Sequence, residues 1–270
     1  MFPLKDNIPT DSFPVATVAL ILANVLMFFL FQKAGISLTG AKVDDLNTVE
    51  YGAIPYELTH WGKHCGIAQV ANQVSDVGAA QIVCEGQDGV SGGAPGQPHT
   101  ALTVLSSMFM HGGLLHIIGN MLFLWIFGNN VEDAMGRVKF LLFYLLGGLA
   151  AIAGQTLIEP GAAVPTIGAS GAVAGVLGGY ILLYPRAKVL TLIFIILFFT
   201  VIELPAFLIL GFWFVQQIAF GSLELANPAG GGGGVAYFAH IGGFAFGLIF
   251  IRMFATKVKD VATQPKYPVY

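Results

Sequence analysis

Along the chain, long apolar runs alternate with short polar breaks. The first run covers about 14–32 (PVATVALILANVLMFFLFQ), and a polar stretch rich in Gly, Asp, Asn and Gln follows over 33–110. Further runs occupy about 113–129, 139–158, 168–184 and 235–254, separated by breaks such as VEDAMGRVK, EPGAAVPT and GSLELANPAGGGGG. Each has the length of a bilayer-crossing helix, roughly 17–25 residues, and each stops at Pro, Gly or charge. A longer run, 189–220, is broken by Glu203 and Pro205. It reads either as two short spans or as one span near 203–220 with Val189–Ile202 partly in the membrane interface, Pro205 being tolerable near a helix start.

Charge placement favours the single span. With six spans and the N-terminus inside, the inner side holds Lys5, Arg137, Lys139, Arg186, Lys188, Arg252, Lys257, Lys259 and Lys266, while Lys33, Lys42 and Lys63 lie outside. This is the positive-inside pattern. Seven spans would turn Arg252 and the basic residues after it outward. The expected fold is therefore an all-α membrane protein, a six-transmembrane-helix bundle with both termini cytoplasmic. Residues 1–32 form the N-terminus and first helix, and 33–110 a long polar first extracytoplasmic loop. Residues 111–254 form a core of the remaining helices, and 255–270 a polar tail. The first run is longer than a signal-peptide core and no small-residue cleavage site follows it, so it reads as a retained span.

Composition agrees. Of 270 residues, 56% are hydrophobic and 10% charged, with mean hydropathy +0.76, too little charged surface for a soluble domain. A net charge of −3 argues against nucleic-acid binding and against a polybasic membrane-surface patch. A short N-terminus without a targeting presequence points to a prokaryotic cell membrane.

Polar side chains inside spans are costly and mark function by default. Here they are Asn24, His116, Asn120, Ser170, Glu203, Gln216, Gln217 and His240, with His111 just before the second span. Ser170 stands in GASG, behind Gly168 and before Gly171, where a helix start offers free N–H groups and a positive dipole end. The bland reading is a small packing residue, and it fits most of this helix, since Gly171, Gly175 and Gly178 share a face. His240, in AHIGG, shares a helical face with Gly243 and Gly247, a close-approach surface suited to the glycine face of the fourth span. The two surfaces together propose a Ser–His pair, serine as nucleophile and histidine as base. In HGGLLHIIGN, His116 and Asn120 are four apart and share a face. They are either a polar pair satisfied by neighbouring helices or donors for a developing oxyanion. A metal site competes weakly: there is no HExxH, no carboxylate in the second, fourth or sixth span, and His111 and His116 are five apart. Asn24, Gln216 and Gln217 read as packing or interhelical hydrogen bonds.

HGGLLHIIGN, GASG and AHIGG fall in this order on the second, fourth and sixth spans. The ordered set resembles the rhomboid family of intramembrane serine proteases over roughly 100–254. The resemblance implies Ser170 as nucleophile and His240 as general base, a dyad without a carboxylate. It implies an oxyanion hole of His116, Asn120 and the Ser170 backbone N–H, with His111 in a supporting role. Gly168 and Gly171 would flank the serine, and Gly243 and Gly247 would let the sixth span approach the fourth. It implies membrane-spanning protein substrates cut near the outer membrane boundary, no cofactor, and a lateral entrance near 203–234. Many members carry an aromatic residue four positions after the nucleophile, against which the base packs. Here that position is Ala174, so another group, such as Tyr237 or Phe238, holds His240, or none does. Glu159 and Glu203 have no motif reason to take part.

The first loop holds Cys65 and Cys84. They read as a disulfide in an oxidising compartment, as zinc ligands together with His60 and His64, or as free thiols. SGGAPGQPH (91–99) reads as a linker. Two other functions compete with proteolysis: a catalytically silent relative that binds membrane clients, and a transporter using the His/Asn/Ser cluster as a polar pathway. No internal repeat supports the transporter.

Overall fold

A computed structural model describes residues 2–34, 45–68, 81–88, 90, 98–195, 198–227 and 234–259. Most of the linker stretch 91–99 and of the tail 255–270 lies outside the described residues. The molecule is a mostly helical, multi-pass membrane protein. Leu114–Met135, Arg137–Ile158, Ala206–Ala226 and Tyr237–Phe254 are long and apolar enough to cross a membrane, and Val15–Phe31 and Ser170–Leu183 are shorter apolar helices. These six helices lie where the apolar runs predict them. In chain order the elements are β1 (Phe2–Asp6), α1 (Val15–Leu26, continued by a π-helical turn Met27–Phe31), α2 (Asp45–Tyr51), α3 (Pro55–Thr59), β2 (Cys65–Ala68), β3 (Gln81–Cys84) and α4 (Thr100–Ser107). Then follow α5 (Leu114–Phe123, continued by a π-helical turn Leu124–Gly128), α6 (Asn129–Met135), α7 (Arg137–Ile158), α8 (Ser170–Leu183), β4 (Lys188–Ile195), β5 (Phe198–Pro205), α9 (Ala206–Ala226) and α10 (Tyr237–Phe254).

The stretch expected as an interfacial lead-in to the fifth span is instead an antiparallel hairpin. β4 pairs with β5 from Lys188↔Pro205 to Ile195↔Phe198, and β1 pairs with β4, giving the order β1-β4-β5. Lys188 Nζ meets Glu203 Oε2 at 3.2 Å across the hairpin. The cause lies in the residues: VLTLIFI and FFTVI are rich in β-branched and aromatic side chains, which fit a pleated surface. The fifth helix starts only after Pro205 and runs to Ala226.

The chain divides into two compact units. The first comprises Met1–Ala23, Ile118–Gly154 and Ser170–Tyr270. Its centre is a glycine seam. A Cβ placed on Gly243 of α10 would fall 2.0 Å from the Gly171 carbonyl oxygen of α8, one on Gly247 2.0 Å from that of Gly175, and one on Gly178 2.2 Å from that of Phe244. Helix α7 joins on the same principle: a Cβ on Gly154 would fall 2.9 Å from the Phe238 carbonyl oxygen, and one on Gly242 2.8 Å from that of Ala150. Backbone therefore lies directly on backbone, the small-residue mode of helix packing in membranes.

Polar ties fix the ends of this unit. The buried Glu132 carboxylate of α6 accepts the N–H groups of Ala16 and Thr17 at 3.0 and 2.7 Å and the Thr17 hydroxyl at 2.8 Å. It thus caps the start of α1, where N–H groups have no partner within the helix and the dipole favours an anion. Asp6 closes β1 against α8 and α6. Its Oδ2 accepts the Tyr180 hydroxyl at 2.5 Å and the Asn130 amide at 2.6 Å. Burial pushes the Asp6 carboxyl up to about 7, and the Tyr180 hydrogen bond only partly offsets this.

The second unit comprises Asn24–Ile117 and Gln155–Ala169. Cys65 and Cys84 sit opposite each other in the β2–β3 hairpin and are joined by a disulfide. Both sulfurs are thereby used, which removes them as zinc ligands. Val49, Ile54 and Tyr56 bury the bridge, and Glu57 accepts the Cys65 N–H at 2.7 Å. This small body grips the segment that precedes α8. Tyr56 N–H donates to the Ala162 carbonyl at 3.0 Å, Thr166 N–H to that of Ala53 at 2.8 Å, and Gly168 N–H to that of Ser107 at 2.9 Å.

Two outcomes follow for stability. Gly247→Ala forces α8 and α10 apart, and overpacking of this kind costs about 1–3 kcal/mol. Gly211→Ala, where nothing lies within 4 Å, serves as the control. Thermal unfolding in detergent should show a lower midpoint for the first and no loss for the second, and a Gly247→Ala protein melting with the wild type would refute the seam. The second outcome concerns pH. Folding raises the Asp6 pKa from 3.8 to about 7, so the folded state holds the extra proton between those values. Asp6's contribution is full below about pH 4 and is lost as pH rises through about 7. The wild type should lose thermal stability over that interval, and Asp6→Asn, which keeps an acceptor for Tyr180 but cannot ionise, should lack this component of the loss.

Candidate active site

Ser170 opens α8. Two residues earlier Gly168 has φ 125, a conformation that side-chain-bearing residues rarely adopt. It lets the chain leave the EPGAAVPT loop and turn into the helix. Ser170 is half-buried, and its backbone N–H belongs to the first turn, which has no acceptor within the helix.

His240 lies in the first turn of α10. Its Nε2 is 2.8 Å from Ser170 Oγ. The glycine seam explains this closeness, because Gly171 and Gly243, next in line on each helix, leave no side chain between the backbones. On its other side His240 Nδ1 is 2.8 Å from Gln217 Oε1 of α9. Trp213, one turn before Gln217, presents its ring to the imidazole with centroids 5.7 Å apart and a 39° tilt.

Gln217 and Trp213 thus hold His240, and Tyr237 and Phe238, suggested from the sequence, pack on Gly221 of α9. Ala174 is fully buried in α8. The sequence marks Gln217 as a packing or interhelical hydrogen-bonding group without naming its partner. Its spacing from Trp213, four along a helix, was the available signal, but nothing in the sequence pointed that face at His240. Glu203 pairs with Lys188, and Glu159 accepts the Gln155 amide at 2.5 Å.

Helix α5 carries His116 and Asn120 one turn apart. Asn120 is buried, and its Nδ2 meets no hydrogen-bond partner among the described residues. A buried amide donor left free is unusual and suits an acceptor that arrives with a substrate. The Gly112 N–H donates to His116 Nδ1 at 3.3 Å, so the neutral His116 ring carries its proton on Nε2 and is a donor there. His111 is buried, with its ring edge-on to that of His116 at 5.1 Å and to that of Phe28 at 6.5 Å. Its backbone is clamped by Gln32, whose Oε1 accepts the His111 N–H at 2.8 Å and whose Nε2 donates to its carbonyl at 3.1 Å. Burial lowers the His111 pKa to about 3, keeping the ring neutral. Ser170, His240, Gln217 and Asn120 belong to the first unit, and His111, His116 and Gly168 to the second. Among the described residues no group of three or more His, Cys, Asp or Glu side chains is arranged to hold a metal ion.

A serine hydroxyl hydrogen-bonded to an imidazole at a helix start can support acyl-transfer chemistry. The Rhomboid domain model matches residues 98–257. "Rhomboid protein 1, mitochondrial" of Saccharomyces cerevisiae is 31% identical over 153 residues, covering 55% of this chain and 40% of that protein. "RHOMBOID-like protein 4" of Arabidopsis thaliana is 31% identical over 154 residues, 54% of this chain and 32% of that protein. "Presenilin-associated rhomboid-like protein, mitochondrial" of Homo sapiens is 28% identical over 153 residues, 55% and 36%. The matched part thus spans less than half the length of these curated relatives. The mitochondrial names lend no support to the prokaryotic membrane expected from the sequence. The family model runs from before α5 to beyond α10, over half of the chain and through both helices of the serine–histidine pair, and the chain accordingly belongs to the rhomboid family.

Proposed function

We propose that the protein is an intramembrane serine endopeptidase that cleaves membrane-spanning segments of other proteins through a Ser170–His240 dyad. The 2.8 Å contact between Ser170 Oγ and His240 Nε2 carries the reading. In this reading six helices cross the membrane with both termini cytoplasmic. Residues 33–110 are the extracytoplasmic loop, the core is 111–254, and cutting occurs near the outer boundary. The basic residues clustered on one side of the six-span arrangement support that orientation.

The chemistry follows from the donors and acceptors. His240 Nε2 takes the Ser170 proton as Oγ attacks the scissile carbonyl carbon. The negative charge on the carbonyl oxygen is met by the Ser170 N–H and by the free Asn120 Nδ2. The imidazolium then protonates the leaving amine, and the C–N bond breaks. Water, deprotonated by the same imidazole, attacks the acyl-serine; the acyl C–Oγ bond breaks, Ser170 Oγ takes the proton back from the imidazolium, and the second product leaves as a carboxylic acid. Every group in this set is neutral at rest. In an apolar setting a buried charge costs far more than a satisfied dipole, so a site of neutral donors is the cheaper construction.

Purified protein in liposomes with a tagged single-span substrate tests this. Ser170→Ala and His240→Ala should each abolish cleavage, with kcat reduced at least ~10³-fold. Cleavage that survives Ser170→Ala would sink the mechanism, and a folded wild type that cuts none of several substrates would favour a client-binding relative. For the oxyanion donor, Asn120→Ala should lower kcat by about 10²–10³-fold with KM little changed. A change confined to KM would move Asn120 from transition-state stabilisation to ground-state binding.

A further inference from the structure

We propose that Gln217 is a positioning residue for the base: it accepts the Nδ1–H of His240 and so holds the ring in the tautomer whose Nε2 receives the Ser170 proton. The inference rests on the Ser170–His240 reading and extends it to a third helix.

The amide's own contacts fix its orientation. Gln217 Nε2 donates to the Trp213 carbonyl oxygen at 3.3 Å, one turn back on α9. An NH₂ group is a donor and cannot face another donor, so this bond leaves Oε1 for His240 Nδ1 at 2.8 Å. Oε1 only accepts, so Nδ1 must carry the proton. In a neutral imidazole Nε2 is then the free acceptor, and it lies 2.8 Å from Ser170 Oγ. The reversed amide would present a donor to Nδ1, put the proton on Nε2 and leave the serine with no base. Gln217 is buried, so water does not readily replace its Oε1. Trp213 covers one side of the same imidazole, which limits its rotation. Two residues of α9 thus set the proton and the plane of a ring on α10.

The test uses the full chain in detergent and in liposomes. A fluorophosphonate probe reads Ser170 reactivity without a peptide substrate, with Ser170→Ala as the blank. Gln217→Leu, which keeps bulk and removes the acceptor, should slow the maximal labelling rate by about 10–100-fold while the probe concentration at half-saturation stays put. Gln217→Glu, which offers an acceptor oxygen in either ionisation state, should restore most of the rate. A purely packing role would show the reverse, with both variants harmless or both damaging according to their melting points. Nitrogen-15 NMR of labelled histidine, assigned with His240→Ala, reads the tautomer directly. The wild type should show a protonated Nδ1 and a bare Nε2, and Gln217→Leu should lose that pattern. Wild-type labelling kinetics in Gln217→Leu, or a wild-type spectrum with the proton on Nε2, would overturn the proposal. If a folded wild type never labels, the serine-nucleophile reading falls, and the nitrogen shifts still decide the role of Gln217.

Discussion

Backbone-to-backbone contact between α8 and α10 is the constraint on which the site depends. Gly178 on one helix and Gly243 and Gly247 on the other leave no room for a Cβ along the seam. Ser170 and His240 stand at the same end of it, so their side chains, short as a serine's is, meet at hydrogen-bond distance. Helix association in lipid has no hydrophobic drive between helices, and close van der Waals fit takes its place. The feature that holds these two helices together is the feature that sets the distance between Ser170 and His240.

Around that seam the protein meets an apolar setting with neutral groups and keeps most of its charges near the ends. Lys259 pairs with Asp11 at 3.0 Å and with Asp133 at 2.6 Å. Glu132 has three donors at the start of α1, and Asp6 is held by a hydroxyl and an amide. At the proposed dyad the third group is an amide where soluble serine hydrolases of the Ser-His-Asp kind place a carboxylate. An amide oxygen can set a tautomer without the desolvation cost of a buried anion. It gives up the Coulombic stabilisation that an anion would lend to the imidazolium.

How much was legible in the sequence depended on the range of the signal. Apolar runs between charged breaks placed the six helices, because both are local properties. Glycines at spacings of three and four on two separate runs, each beside one polar residue, brought Ser170 and His240 to the same place before any coordinates. The hairpin over 188–205 was not legible: the run between Lys188 and Glu203 is apolar on both faces and has no period from which to tell strand from helix. Gln217 was seen as an interhelical group without a partner, since its contact depends on the rotation of α9 about its axis, which hydropathy does not encode. Cys65 and Cys84 admitted three chemistries until the β2–β3 register placed them opposite one another.

The seam also divides the molecule by its tolerance of sequence drift. Between α8 and α10, a substituent at Gly243 or Gly247 strikes main chain, which no rotamer change can relieve. Between α9 and α10, contact passes through large side chains, with Phe214 stacked on Phe244 at 4.3 Å and Trp213 tilted against it at 6.1 Å. Such a surface can be repacked by compensating changes in volume. Lineages of this chain can therefore repack the Phe214–Phe244 contact while the glycine positions stay frozen, and a directed-evolution library has the same freedom and the same prohibition.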